Sequence, residues 1–159
     1  IKTELSLLKK VGAKIKVAKK QIHISGPKKI KNLNNLVTKE YPNFPTDLQA
    51  QFMVLLCKAK GKSSITESIF ENRFMHVAEL RRLGAEIIVK KNKAIISGNT
   101  NFQAAELMSS DLRASVALVL AATVATGSST INRIYHLDRG YENIENKLRK
   151  VGVNIRRVN

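Results

Sequence analysis

Apolar residues along the chain show helical spacing in some segments and strand-like alternation in others, and these segments recur in the same order. Leucine-rich stretches with helical spacing end at Gly12, Gly84 and Gly152, and glycine just beyond a helix is the usual left-handed cap. Alternating residues follow the first two glycines as AKIKV with QIHIS and as AEIIV with AIIS, which predicts two β-hairpins. The third copy reaches only one predicted strand, within VNIRRVN.

A second repeated pattern lies upstream of the last two of these helices. PTDLQAQFMVLLCKAKG and SSDLRASVALVLAATVATG each predict an apolar helix that ends at a glycine. Thr46 and Ser110 are the predicted N-terminal caps, and Asp47 and Asp111 suit the positive end of the helix dipole. A short strand follows each helix, SSITESI or SSTINRI, and a second helix is predicted to begin near FENRFMHVAEL or LDRGYENIENKL.

Together these patterns define a βαβαββ unit with a period of roughly seventy residues. Residues 1–26 are predicted to end a first unit, 27–98 to form a second and 99–159 to supply most of a third. One such unit cannot bury both faces of its helices, so we expect the copies to share a core within one α/β domain. Ile1 falls inside the pattern, so we expect the chain to be part of a longer protein.

The charge of the chain supports a competing interpretation. Lys and Arg total 28 against 12 Asp and Glu, giving a formal charge of +16, an excess typical of nucleic-acid-binding proteins. However, the lysines are scattered around apolar positions, and no aromatic ladder or RNA-recognition signature accompanies them. A solvated lysine surface without a nucleic-acid partner is favoured, and a non-enzymatic basic nucleic-acid-binding module is the alternative.

Apolar runs and cysteine usage indicate the compartment. No apolar run approaches the ~20 residues that cross a bilayer, and the first residues lack the apolar core of a signal peptide. We therefore expect a soluble cytoplasmic protein without a membrane partner. Cys57 is the sole cysteine and lies in an apolar run, which predicts a core residue. His76 and His136 lack metal-ligand spacing, so we predict neither metal nor cofactor and expect structural histidines.

Aspartates and arginines are the candidate chemical groups. They lie at or beside predicted helix starts within the repeated motifs: Asp47, Asp111, Asp138, Arg73, Arg113 and Arg139. An arginine fork binds carboxylate or phosphate through two parallel hydrogen bonds, which would suit a small polyanionic substrate. Helix capping and weak surface ion pairs are the alternative roles.

The wording of several motifs resembles the enolpyruvyl transferases, in particular those that act on UDP-N-acetylglucosamine. The similar strings are YPNFPTDLQAQF, ITESIFENRFMHVAELRRLGAE, SSDLRASVALVLA and IYHLDRGYENIENKLRKVGVNI, which together cover almost the whole chain. The resemblance implies an inside-out α/β barrel of two domains, each with three such units, and an active site in the cleft between them. It further implies transfer of the enolpyruvyl group of phosphoenolpyruvate to the sugar 3-hydroxyl, the first committed step of peptidoglycan synthesis. Roles in cell-wall biogenesis, cell shape and cell division would follow.

The same resemblance assigns site residues. Asp47 matches an aspartate that contacts the sugar 3-hydroxyl and is the candidate general base, and Ile69, with Phe70 beside it, matches a position whose backbone contacts the nucleotide sugar. The implied cleft and phosphoenolpyruvate-binding residues are Arg73, Asp111, Leu112, Arg113 and Arg139.

Other essential groups are implied to lie elsewhere. A proton-donating cysteine and an early lysine belong to the other domain, in the missing N-terminal portion, so we expect this chain alone to be inactive. The sister enzymes that act on shikimate 3-phosphate are an alternative, although FENRFMH and DRGYE favour the nucleotide-sugar enzymes.

Overall fold

The computed structural model describes residues 1–158 and consists of short helices and strands in alternation. The helices are α1 (Lys2–Lys10), α2 (Gln49–Cys57), α3 (Val77–Arg82), α4 (Leu112–Thr123), α5 (Tyr135–Asp138) and α6 (Ile144–Arg149), and a 3₁₀ turn (Thr46–Leu48) precedes α2. The strands are β1 (Lys14–Val17), β2 (Ile22–Ser25), β3 (Leu36–Val37), β4 (Lys62–Thr66), β5 (Ile87–Lys90), β6 (Lys93–Ser97), β7 (Glu106–Met108) and β8 (Thr130–Asn132).

Both predicted hairpins and the glycine caps before them are confirmed. β1 pairs with β2, and β5 pairs with β6, each in antiparallel register. Gly12, Gly84 and Gly152 end their helices with φ between 92° and 108°, a conformation that glycine adopts without a steric penalty. The predicted strand after Gly152 is wrong, because residues 153–158 form none. The corresponding strands β1 and β5 pair with the strand that follows them, and residues 1–158 contain no such partner for this segment.

The strands on either side of each long central helix run parallel. β3 pairs with β4 across α2, and β7 pairs with β8 across α4. β4 also pairs with β6, which gives a four-stranded sheet in the order β3-β4-β6-β5. The elements from β3 to β6 therefore follow the predicted βαβαββ order.

The second helix of each unit differs from its prediction, by a later start in one unit and by a break in the other. In the unit that contains β3 to β6, helix α3 begins at Val77, after a loop in which Asn72 has a φ of 53°. In the next unit the helix is divided into α5 and α6, with Asn143 at a φ of 46° between them. Left-handed residues interrupt helical hydrogen bonding, which accounts for both differences.

Helices α2 and α4 pack against each other and are largely buried. Each helix is apolar on most sides and buries seven of its residues, as expected for helices surrounded by protein. Cys57 is confirmed as a core residue, and its burial raises the pKa of its thiol to about 12. Among residues 1–158, no helix has the length and apolar character needed to span a membrane.

A close backbone approach joins the end of β6 to the loop after α2. The N–H of Gly98 donates to the carbonyl of Gly61 at 3.0 Å. A Cβ atom at Gly98 would overlap the carbonyl oxygens of Ala59 and Gly61, so the site accepts only glycine without a backbone shift.

Candidate functional site

Three of the predicted site residues form one charged cluster at the start of the two central helices. The Oδ1 atom of Asp47 lies 2.5 Å from Nε of Arg113 and 3.5 Å from Nη2 of Arg73. Asp47 is in the 3₁₀ turn before α2, and Arg113 is in the first turn of α4. Because α2 and α4 pack against each other, their first turns bring these side chains together across 66 residues of sequence.

The predicted capping residues at these helix starts are wrong. Asp111 itself caps α4, accepting from the backbone N–H groups of Arg113 at 2.8 Å and Ala114 at 3.0 Å. Ser110 instead donates to Asp111, and Thr46 donates to Glu67. Burial opposes ionisation of Asp111, but these backbone N–H groups hold the pKa of its carboxyl below the usual value. The observed role of Asp111 is therefore to cap α4, and α4 in turn positions Arg113.

Leu112 and Arg139 lie where the first turn of α4 meets the end of α5. A Cβ atom at Gly140 would lie 2.9 Å from Cδ2 of Leu112, so the backbone after α5 packs directly on the first turn of α4. Arg139 immediately precedes this contact and is exposed. Among the described residues, no ion pair or hydrogen bond links Arg139 to Asp47, so Arg139 is near the cluster without belonging to it.

Asp138, the third aspartate, has a different partner. Its carboxylate accepts two hydrogen bonds from Arg157, at 2.6 and 2.9 Å, which hold the pKa of Asp138 below its usual range. This exposed pair ties the final segment of the chain to α5.

The segment after β4 supplies the remaining predicted residues. The backbone N–H groups of Ile69 and Phe70 donate to Oε1 of Glu67 at 3.0 and 3.3 Å. A ligand contact through the backbone of Ile69 would therefore use its carbonyl group. The Phe70 side chain is half exposed, and the guanidinium of Arg73 lies 4.8 Å from the centre of its ring, within cation–π range. Phe70 and Arg73 also line a cavity of about 280 Å³ with Glu67 and Asn92.

Sequence reasoning missed Glu67, a carboxylate that is only 2% exposed. Its Oε1 atom also accepts from the hydroxyl of Thr38 at 2.8 Å, and Oε2 accepts from the hydroxyl of Thr46 at 2.9 Å. The strand alternation could have revealed Glu67. It follows buried Ile65 by two residues, so both side chains lie on the inner face of the sheet. An acidic residue at an inward position needs partners, and none was apparent nearby in sequence.

His76 is a buried histidine beside Arg73 and Asp111. It is 5% exposed, and its Nε2 atom has no hydrogen-bond partner among the described residues. Burial, opposed by the Asp111 carboxylate and reinforced by Arg73, lowers the pKa of His76 to about 4. The imidazole is therefore neutral at pH 7. Among residues 1–158, no group of three or more His, Cys, Asp or Glu side chains is placed to hold a metal ion.

Comparisons with curated proteins agree with the motifs. The chain is 65% identical over its full length to UDP-N-acetylglucosamine 1-carboxyvinyltransferase of Pelagibacter ubique (strain HTCC1062), and covers 38% of that protein. It is 52% identical to the enzyme of the same name from Desulfosudis oleivorans, over 99% of this chain and 38% of the relative. The chain thus spans well under half the length of the curated relatives that it matches.

Solved structures support the fold. The enolpyruvyl transferase NikO from Streptomyces tendae superposes on 98% of the chain with a TM-score of 0.89 at 27% identity, through 36% of its own length. An EPSP synthase from Acinetobacter baumannii covers the same share with a TM-score of 0.79 at 18% identity. This second likeness supports the α/β fold alone.

The family itself is matched across most of the chain. Residues 1–148 match the family described as EPSP synthase (3-phosphoshikimate 1-carboxyvinyltransferase). The predicted resemblance is confirmed by this match and by the names of the relatives. The chain belongs to the enolpyruvyl transferase family of EPSP synthase.

Proposed function

We propose that the full-length protein transfers the enolpyruvyl group of phosphoenolpyruvate to the 3-hydroxyl of UDP-N-acetylglucosamine, and that this chain supplies one side of its active site. The observation that carries the proposal is the exposed Asp47 carboxylate held between two arginines, on a chain whose 65% identical relative bears that enzyme's name. The same relatives favour the nucleotide-sugar enzyme over the shikimate 3-phosphate enzyme, and both over a basic nucleic-acid-binding module.

The geometry suits proton removal beside an anionic co-substrate. The Asp47 side chain is 64% exposed, so a sugar hydroxyl can reach its carboxylate. As general base, Asp47 would take the hydroxyl proton while the sugar oxygen bonds to C2 of phosphoenolpyruvate, and a donor from the other domain would protonate C3. Loss of a C3 proton and of phosphate from the resulting tetrahedral intermediate then gives the enolpyruvyl ether.

The arginines would stabilise the negative charge of phosphoenolpyruvate. Arg113 donates to Asp47 through Nε, and its terminal nitrogens would bind a phosphate or carboxylate oxygen. Arg73 would assist from the cavity side, and Arg139 from the end of α5. Ile69 and Phe70 would border the nucleotide sugar.

The wider architecture is part of the proposal. Residues 1–26, 27–98 and 99–159 would belong to three units of one domain, closed into an inside-out barrel with sequence outside this chain. The missing N-terminal portion would supply the second domain, the cysteine and the lysine. A cytoplasmic location and a role in peptidoglycan synthesis follow from the substrates.

Phosphate release by the purified full-length protein tests this proposal. We expect release that requires both phosphoenolpyruvate and UDP-N-acetylglucosamine, and none when shikimate 3-phosphate replaces the nucleotide sugar. We expect no release from residues 1–159 alone, since the second domain is absent. Release with shikimate 3-phosphate instead would establish the sister activity and refute the proposed substrate.

A further inference from the structure

Glu67 connects three separate segments around the candidate site. It follows β4 directly, and its own backbone is fixed by the neighbouring loop, since its N–H donates to the carbonyl of Asn92 at 2.8 Å. Its side chain turns inward and receives donors from the end of β3, from the turn before α2 and from its own loop. One carboxylate therefore holds together elements that lie up to 29 residues away in sequence.

Both oxygens of the Glu67 carboxylate accept hydrogen bonds. Oε1 accepts from Thr38, Ile69 and Phe70, and Oε2 accepts from Thr46. The Thr38 hydroxyl donates to Glu67 at 2.8 Å and also accepts from the N–H of Ser68 at 3.0 Å. A buried carboxylate needs such a set of donors, and removing one partner leaves a buried group unsatisfied.

Two of these donors, the Thr46 hydroxyl and the Ile69 N–H, lie next to or within residues with proposed roles toward the nucleotide sugar. Thr46 immediately precedes Asp47, and its hydroxyl is bonded to Oε2. The N–H of Ile69 is bonded to Oε1 of the same carboxylate. The distance between the Asp47 turn and the Ile69 backbone is therefore set through one rigid group. The Asp47 side chain is held by Arg113 and Arg73, whereas its 3₁₀ turn has no side-chain cap hydrogen bond.

We propose that Glu67 is a positioning residue that fixes the Asp47 turn relative to the Ile69 backbone, so that both meet the same sugar. This inference rests on the proposed function. Glu67 touches no substrate; it acts through the Thr46 hydroxyl and the Ile69 N–H. Misplacement of a reacting group by about 1 Å can cost up to about 100-fold in rate, so loss of the Thr46 connection should affect catalysis well beyond its effect on stability.

Thr46→Val in the full-length enzyme is the most selective test. Valine keeps the branched shape and removes only the hydroxyl, whereas Thr46→Ser restores a hydroxyl. Thr38→Val is the comparison variant, because it removes a hydroxyl from the same carboxylate, together with the acceptor of the Ser68 N–H, and leaves the Thr46 connection intact. Each variant is measured for phosphate release at varied UDP-N-acetylglucosamine concentrations and for melting temperature.

We expect kcat/KM for the nucleotide sugar to fall about 10- to 100-fold in Thr46→Val, and to remain close to wild type in Thr46→Ser. Thr38→Val should lower the melting temperature at least as much, with a smaller kinetic loss. In a Glu67→Gln background, Thr46→Val should cost less than in wild type, because both changes act on the same connection.

Two results would overturn the inference while leaving the proposed function intact. One is an active wild-type enzyme in which Thr46→Val and Thr38→Val lose kcat/KM equally. The other is a Thr46→Val effect of the same size with and without Glu67→Gln. A wild-type protein without phosphate release from the two proposed substrates would instead refute the proposed function, and the inference with it.

Discussion

Replacing Asp47 with asparagine separates its proposed role as a base from its contribution to the fold. The substitution keeps the shape of the side chain and removes its charge and its ability to take a proton. Asp47 caps neither the 3₁₀ turn nor α2, since no side-chain cap hydrogen bond is formed at the start of either. Its contacts are the ion pairs with Arg113 and Arg73.

The structure sets the expected size of each effect. With 64% of the Asp47 side chain exposed, the ion pairs are screened by solvent, and asparagine can still accept a hydrogen bond from Arg113. We therefore expect the free energy of unfolding to fall by no more than about 1 kcal/mol. Turnover should fall on the order of 100- to 10,000-fold if Asp47 is the base, which corresponds to roughly 3 to 5 kcal/mol of activation free energy.

Steady-state phosphate release and urea denaturation of the full-length protein measure the two effects side by side. Glu86→Gln is the matched control, because it neutralises an exposed carboxylate just before β5 that makes no ion pair within residues 1–158. We expect wild-type kinetics from the control and a loss mainly in kcat from Asp47→Asn. Near-normal turnover in Asp47→Asn would remove Asp47 from the proposed mechanism.

Three further predictions concern stability and are measured by urea denaturation of the full-length protein. Asp111→Ala should lower the free energy of unfolding by about 1 kcal/mol because it removes the cap of α4; Ser110→Ala should cost less than about 0.5 kcal/mol, and the reverse order would show that the cap is misassigned. Below about pH 6.5 the unfolded imidazole of His76 takes up a proton, whereas the buried one does so only near its pKa of about 4. The free energy of unfolding should therefore fall by on the order of 3 kcal/mol as the pH drops between these values. His76→Phe should abolish this pH dependence, and an unchanged pH dependence in that variant would contradict the assignment. Gly98→Ala should cost about 3 kcal/mol because its methyl group meets two backbone carbonyls. Gly26→Ala should cost little, since nothing lies within 4 Å of the added atom, and equal losses would refute this packing account.

Local sequence was sufficient to predict the hairpins and the glycine caps. The alternation around Lys91 and Asn92 determines a hairpin through neighbouring residues alone, and Gly84 marks the end of α3 in the same way. The apolar character of α2 and α4 was also evident in the sequence, and each helix buries seven residues.

The helix starts show where local sequence was insufficient. Thr46-Asp47-Leu48 and Ser110-Asp111-Leu112 are nearly the same tripeptide, yet the first forms a 3₁₀ turn and the second begins an α-helix with a capping aspartate. In the first tripeptide, the Thr46 hydroxyl donates to Glu67, 21 residues away. The Asp47 carboxylate accepts from Arg113, 66 residues away. Competing tertiary partners therefore decided whether the aspartate capped its helix or faced outward.

The cluster at Asp47 was anticipated only in part for the same reason. The repeat placed Asp47 and Arg113 at corresponding helix starts, and the packing of α2 against α4 brings the two side chains together. Arg139 also occupies a predicted helix start, but it lies outside the cluster among the described residues. Glu67 escaped notice because its donors come from segments that only the folded chain brings together.

A crystal structure of the full-length protein with bound UDP-N-acetylglucosamine tests the central claim most directly. The account predicts that the sugar 3-hydroxyl lies within about 3.2 Å of a carboxylate oxygen of Asp47, with the carbonyl of Ile69 against the same ligand. Binding of the sugar away from the first turns of α2 and α4, with Asp47 still paired only to arginine, would contradict it.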